Sequence, residues 1–118
     1  MKQPGPEHPI TITLNPRRVR VELDGQVIAD SAHALTLQES TYPAVQYIPR
    51  ADIRMDHFAK TDHHTVCPYK GQASYYSLTH DGQVLENLAW SYEEPYPAMA
   101  EIAGHLAFYA NRVRISEV

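Results

Sequence analysis

The chain has 118 residues, enough for one domain and too few for two independent hydrophobic cores. Its composition, 43% hydrophobic and 20% charged, indicates a folded domain, and its net charge of −4 argues against general nucleic-acid binding, which needs a basic surface. A single cysteine cannot form an internal disulfide, and no apolar run approaches the ~20 residues of a membrane span, so we expect a cytoplasmic protein with neither a nucleic-acid nor a membrane partner.

Residues 1–16 are predicted to form an N-terminal arm with a first short strand. Three prolines and a glycine occupy residues 2–9, a composition typical of a flexible or wrapped segment. Residues 10–14 then alternate between apolar and polar side chains, which predicts a half-buried strand. Residues 17–118 are predicted to form the single domain.

The first part of that domain predicts a series of short strands. Residues 18–23 alternate again, and Asp24-Gly25 is a strong signal for a two-residue hairpin turn, because both central positions need positive φ. Residues 26–30 are the return strand. Further strands are expected over residues 34–38 and 42–48, whereas residues 60–64 are polar and predict a loop.

A second Asp-Gly pair, Asp81-Gly82, predicts the central hairpin of the fold. If His80 pairs with Gln83, the register places Tyr75 opposite Leu88. Successive side chains on each strand then point to opposite faces of the hairpin, and the two faces carry different sets of residues.

One short helix is predicted over residues 97–104. Pro97 suits a first helical turn, Met99 and Ile102 recur at helical spacing, and Gly104 can end the helix. The sequence therefore predicts a mostly β fold of the β-rich α+β kind: a single compact antiparallel domain, partly barrel-like, with one short helix.

Cys67 and Lys70 are candidate catalytic residues. A catalytic thiolate needs a nearby cation or histidine, and Lys70, His63 and His64 supply both within a few positions. The alternative is a small buried cysteine without chemistry. His57, His63, His64 and Cys67 fall within eleven positions, but the second ligand pair of a zinc site is missing, so neither a metal nor a cofactor is predicted.

The tyrosines suggest a binding pocket. Eight tyrosines accompany two phenylalanines, whereas a purely apolar core would favour phenylalanine. Lys70 beside Gly71 and Arg50 at a chain turn can both reach an anionic group. The predicted ligand-binding residues are Tyr47, Arg50, Asp52, Lys70, Tyr75, Asn87, Trp90 and Tyr92.

Several stretches together resemble one known family. They are Val19-Arg20-Val21, the segment from Tyr47 to Ile53, Cys67-Pro68-Tyr69-Lys70-Gly71 with Ala73 and Tyr75-Tyr76, Asn87 with Ala89 to Tyr92, Pro95, Pro97, Ile102 and Phe108-Tyr109. The chain resembles the domain of unknown function 427 over about Arg17 to Ile115. The resemblance implies a compact β-rich domain without an established reaction, and it points to most of the predicted site residues and to Cys67.

Some family collections label that domain a nucleotidyltransferase, but these residues do not support the label. Such enzymes use a Gly-Ser followed by paired aspartates that hold magnesium, and the sequence contains neither. We expect a domain that binds a small anionic molecule in an aromatic pocket beside the Cys-Pro-Tyr-Lys-Gly motif. One alternative is a non-catalytic interaction or oligomerisation module, in which the same aromatic residues form the core and an oligomer face and the arginine-bearing edge strands either pair with a partner or are kept apart by charge. The other is a thiol- or metal-dependent enzyme.

Overall fold

The structure, a computed structural model, describes residues 1–118 and contains ten β-strands joined by turns and short 3-10 helices. The strands are β1 (Ile10–Leu14), β2 (Val19–Leu23), β3 (Gln26–Ser31), β4 (Leu35–Glu39), β5 (Val45–Tyr47), β6 (Phe58–Cys67), β7 (Gly71–His80), β8 (Gln83–Ser91), β9 (Leu106–Phe108) and β10 (Arg114–Glu117). All strand pairs are antiparallel. The predicted mostly β, single-domain fold is confirmed.

The strands form three sheets, with the orders β1-β4-β5, β10-β2-β3 and β6-β7-β8-β9. The sheets do not close into a barrel. Ile48 and Leu106 exchange two backbone hydrogen bonds of 2.8 and 2.9 Å, which attach the end of β5 to β9. This bridge sets the first sheet beside the central four-stranded sheet. β1, which the predicted boundary assigns to the arm, pairs with β4 along its whole length.

Two hydrophobic clusters lie on opposite faces of β7. Tyr76 and Leu78 belong to a cluster of fifteen buried residues, whereas Ala73 and Tyr75 belong to a second cluster of eight. Successive side chains of a strand point to opposite faces, so the neighbours Tyr75 and Tyr76 enter different cores.

The central hairpin pairs as predicted at its tip, where His80 lies opposite Gln83. Further along, the predicted pairing of Tyr75 with Leu88 is wrong, because Tyr75 lies opposite Trp90. The cause is a bulge in β8. Asn87 takes a positive φ of 51°, and its backbone N–H donates to Ser77 Oγ at 3.0 Å instead of continuing the ladder.

The remaining elements differ from the prediction mainly at one loop. Residues 60–64, predicted as a loop, belong to β6, although the register slips between Lys60 and His64. The predicted short helix is a 3-10 helix, Pro97–Ile102, whose Met99 and Ile102 are buried. Two single-turn 3-10 helices span Arg50–Asp52 and Met55–His57. None of these helices has the length and hydrophobicity that crossing a membrane requires.

Candidate functional site

A cavity of about 690 Å³ opens beside the Tyr75 face of the central hairpin. All three sheets contribute to its wall, which is mainly apolar and aromatic. It is lined by Leu37, Glu39, Tyr42, Pro43, Ala44, Val45, Gln46, Tyr47, Lys70, Tyr75, Trp90, Tyr92, Phe108, Tyr109, Ala110, Ile115 and Glu117. The size falls within the range of small-molecule pockets.

Trp90 is the centre of the aromatic wall. Its Nε1–H donates to the Tyr47 hydroxyl at 3.2 Å, and the two rings meet edge to face with centroids 6.5 Å apart. Tyr109 also packs against the indole, at 4.7 Å between centroids. The bulge at Asn87 makes this wall possible, because it brings Trp90 opposite Tyr75.

Three hydroxyls of the cavity, those of Tyr47, Tyr92 and Tyr109, stay protonated at neutral pH. Burial is the main cause that raises the pKa of Tyr47 and of Tyr92 far above the ordinary 10.0. Burial, and then a hydrogen bond in which the Tyr109 hydroxyl donates to Tyr75, raise the pKa of Tyr109 to about 12. The Tyr47 oxygen already accepts a bond from Trp90, and no protein group hydrogen-bonds the Tyr92 hydroxyl. Both hydroxyls can therefore donate to a ligand.

Lys70 supplies the cationic group of the cavity, and its charge is balanced. The residue is only 7% exposed, and its Nζ donates to Glu39 Oε1 and lies 6.0 Å from the centre of the Tyr92 ring. Burial acts to raise the pKa of Glu39, but the hydrogen bonds from Lys70 and His8 outweigh it and lower the pKa below 4.5. The carboxylate and the ammonium group therefore form an ion pair at the cavity wall.

A glycine fixes the turn that presents Lys70. Gly71 has φ of +112°, a conformation that residues with a Cβ rarely adopt. The turn is held from outside, since the Tyr96 N–H donates to the Lys70 carbonyl at 2.9 Å. The Lys-Gly pair therefore has a backbone role as well as a charge.

Cys67 lies behind Lys70 and does not line the cavity. Its Sγ is 3.8 Å from Lys70 Nζ, and the thiol is free and half-buried. His64 is exposed on β6, and the His63 ring packs against Tyr75 at 4.5 Å. No three His, Cys, Asp or Glu side chains are close enough together to hold a metal ion.

The structure brings five predicted ligand-binding residues together at the cavity: Tyr47, Lys70, Tyr75, Trp90 and Tyr92. It places the other three elsewhere. Arg50 donates to Glu93 Oε2 and to the Tyr76 hydroxyl, both at 2.8 Å, on the opposite face of the hairpin.

The remaining two predicted residues also have protein partners. Asp52 accepts a hydrogen bond from Ser31 Oγ at 2.6 Å, and Asn87 Oδ1 accepts one from Thr61 Oγ1 at 2.7 Å. The Asp52 contact stabilises the turn after β5, and the Asn87 contact stabilises the bulge in β8. They lie outside the cavity wall.

Glu93 is the hub of the polar network that holds Arg50. Glu93 Oε1 accepts a hydrogen bond from Lys60 Nζ at 2.6 Å. Oε2, which accepts from Arg50, also accepts from the Tyr76 hydroxyl at 2.6 Å. Burial alone acts to raise the pKa of Glu93, but the bonds from Lys60 and Tyr76 outweigh it and lower the pKa to about 2. Arg50 therefore has its carboxylate partner within the protein and shares it with Lys60.

Sequence reasoning missed two contributors to the Lys70 end. They are Glu39, at the end of β4, and His8, in the N-terminal arm. Each is 31 residues from its partner along the chain, so local patterns carry no signal for these contacts. Only the strand order that brings β4 against the Cys67–Lys70 turn reveals them.

A family model matches residues 11–118 of the chain, and it is described as "Domain of unknown function (DUF427)". A search of curated proteins finds no match.

Proposed function

The chain belongs to the domain of unknown function 427 family, and we propose that it binds a small, largely apolar molecule with an acidic group in the cavity beside Lys70. The observation that supports the proposal is the combination of an aromatic cavity of about 690 Å³ with three hydrogen-bond donors among its lining residues. Those donors are Lys70 Nζ and the hydroxyls of Tyr47 and Tyr92.

The chemistry of the donors favours a ligand oxygen. The ammonium group can only donate hydrogen bonds, and each neutral phenol can donate one as well as accept. A carboxylate, phosphate or sulfonate oxygen accepts several such bonds at once, and an apolar surround strengthens each of them. The ligand body, in contrast, meets rings and aliphatic side chains, so it is expected to be flat and apolar.

Trp90 gives a direct test, because it is the only tryptophan and it lines the cavity. Purified protein is titrated with two fluorescent probes that share an aromatic body: the anion anilinonaphthalene sulfonate and the neutral phenylnaphthylamine. We expect both probes to quench Trp90, and the anion to bind more tightly. Thermal-shift measurements with apolar acids and their amides extend the comparison to other ligands.

Matched variants locate the binding site. Ala110→Phe narrows the cavity and should lower the affinity for both probes by about tenfold. Ala59→Phe, on the exposed part of β6, should leave both affinities unchanged. Tyr92→Phe removes one donor and should weaken only the anion, by about three- to tenfold. Failure of both probes to bind would contradict the proposal and favour the interaction module, which the oligomeric state would then test.

The proposed compartment is the cytoplasm. Cys67 is a free thiol, and a chain without disulfides suits a reducing environment.

A further inference from the structure

The N-terminal arm adds a third ionisable group to the Lys70 end of the cavity. His8 Nε2 lies 2.8 Å from Glu39 Oε2, and the other oxygen of the same carboxylate accepts the hydrogen bond from Lys70. Glu39 thus joins a histidine and a lysine in one chain of contacts. The family match begins at residue 11, so His8 lies outside it.

The arm is docked firmly enough to fix His8. The His8 ring stacks on Tyr69 with centroids 4.2 Å apart and planes within 12°. The Lys2 N–H donates to the Pro68 carbonyl at 2.7 Å, and the Ser40 N–H donates to the Pro9 carbonyl at 2.8 Å. Contacts on both sides of His8 therefore hold it against the cavity wall.

The charged residues that line the cavity do not by themselves favour an anion. Its lining contains one lysine and two glutamates, Lys70, Glu39 and Glu117, for a net charge of −1. An acidic ligand bound there with His8 neutral would meet an uncompensated negative charge. Protonation of His8 turns the group formed with Glu39 and Lys70 from neutral to +1.

We propose that the cavity takes its acidic ligand together with one proton, and that His8 holds this proton. The proposal rests on the proposed function and adds the condition for binding: an anion enters as the counter-ion of protonated His8. Histidine suits the task because its side chain ordinarily titrates between about pH 5 and 8. His8 is in this sense a specificity-determining residue that acts through Glu39 and Lys70.

The surroundings of His8 are consistent with such a gain of charge. The charged and titratable groups that face it, or lie behind those that do, are Lys2, Glu39, Tyr42, Tyr69 and Lys70. Glu39 is the acidic member of this set, and it is in contact with His8. The proton comes from solvent, and no covalent bond forms or breaks.

Calorimetry with the two probes tests the proposal. A sulfonate stays ionised throughout the working pH range, so any proton taken up on binding goes to the protein. Titrations of anilinonaphthalene sulfonate in buffers with different heats of ionisation give the number of protons bound. At about pH 7.5, above the ordinary titration of histidine, we expect close to one proton per ligand. The affinity for anilinonaphthalene sulfonate should rise by up to about tenfold for each unit that the pH falls, while the affinity for phenylnaphthylamine stays constant.

His8→Gln is the decisive variant, because glutamine can still donate a hydrogen bond to Glu39 but cannot gain a proton. It should abolish the proton uptake and the pH dependence and leave phenylnaphthylamine binding unchanged. His64→Gln, at an exposed histidine outside the cavity, should behave as the wild type.

Other outcomes would contradict one or both proposals. Sulfonate binding without proton uptake, or uptake that persists in His8→Gln, would overturn the role of His8 and leave the pocket standing. Failure of both probes to bind would overturn the proposed function as well.

Discussion

Breaking the Lys70–Glu39 ion pair should destabilise the protein in a way that depends on which partner is removed. The Lys70 side chain is 9% exposed and that of Glu39 is 16% exposed, so each group loses much of its hydration on folding. Removing one member of a fully buried pair costs about 3 to 5 kcal/mol. Because both groups keep some contact with solvent, the cost here should fall at the lower end.

Glu39→Gln should lower the free energy of unfolding by about 3 kcal/mol, because it leaves the Lys70 ammonium group without its carboxylate. Lys70→Met should cost less, about 2 kcal/mol, since Glu39 keeps its contact with His8 at 2.8 Å. In the double variant neither charge remains unpaired. Its cost should be smaller than the sum of the single costs by about 1 to 3 kcal/mol.

Urea unfolding at neutral pH, followed by Trp90 fluorescence and by circular dichroism, measures all three variants against the wild type. Arg18→Met is a matched control, because it removes an exposed ion pair with Asp30 and should cost at most about 0.5 kcal/mol. Additive single costs, with coupling below about 0.5 kcal/mol, would show that the two charges do not interact as described.

Three further predictions concern residues outside the cavity. Since the pKa of Glu93 falls from 4.5 to about 2 on folding, its contribution is present above pH 4.5 and is lost as the pH falls towards 2, by about 1 to 2 kcal/mol after screening; Glu93→Gln should flatten this part of the pH–stability curve. Asn87→Ala should cost about 2 kcal/mol in urea unfolding, because alanine resists a φ of 51° and cannot accept a hydrogen bond, whereas Asn87→Asp should cost less than about 1 kcal/mol. Gly71→Ala, at φ +112°, should lower the free energy of unfolding by about 1 to 3 kcal/mol, while Gly5→Ala, where a Cβ meets open space, should be close to neutral in the same assay.

Local sequence signals predict most of the strands because they depend on neighbours in the chain. Alternation identifies β2, and Asp24-Gly25 and Asp81-Gly82 mark two hairpin turns at which all four residues do take positive φ. The bulge at Asn87 escapes such rules. The bulge depends on a hydrogen bond to Ser77, and asparagine at position 87 allows the positive φ without requiring it. The predicted register therefore fails beyond the pair Leu78 and Leu85.

The site is predicted unevenly for a related physical reason. The hairpin faces can be inferred from the sequence, and they correctly put Tyr75 and Trp90 on one side. The charges cannot be inferred in this way, because their partners come from distant strands. Glu39 reaches Lys70 only through the packing of β4 against the turn, and nothing near Lys70 in the chain indicates it.

The alternation along β7 also explains why Arg50 and Lys70 do not share a site. Tyr75 and Tyr76 are adjacent in sequence, yet one lines the cavity and the other bonds to Arg50 in the opposite core. Residues that stand together in a family motif therefore divide between two tasks. Residues on the Tyr76 side stabilise the turn that contains Arg50, through hydrogen bonds to Glu93. Residues on the Tyr75 side form the cavity wall. The only cation at the cavity is Lys70, and its charge is balanced by Glu39. The preference for an anion that we propose therefore depends on the hydrogen bonds that Lys70 and the tyrosine hydroxyls donate, and on the proton that we propose His8 to gain.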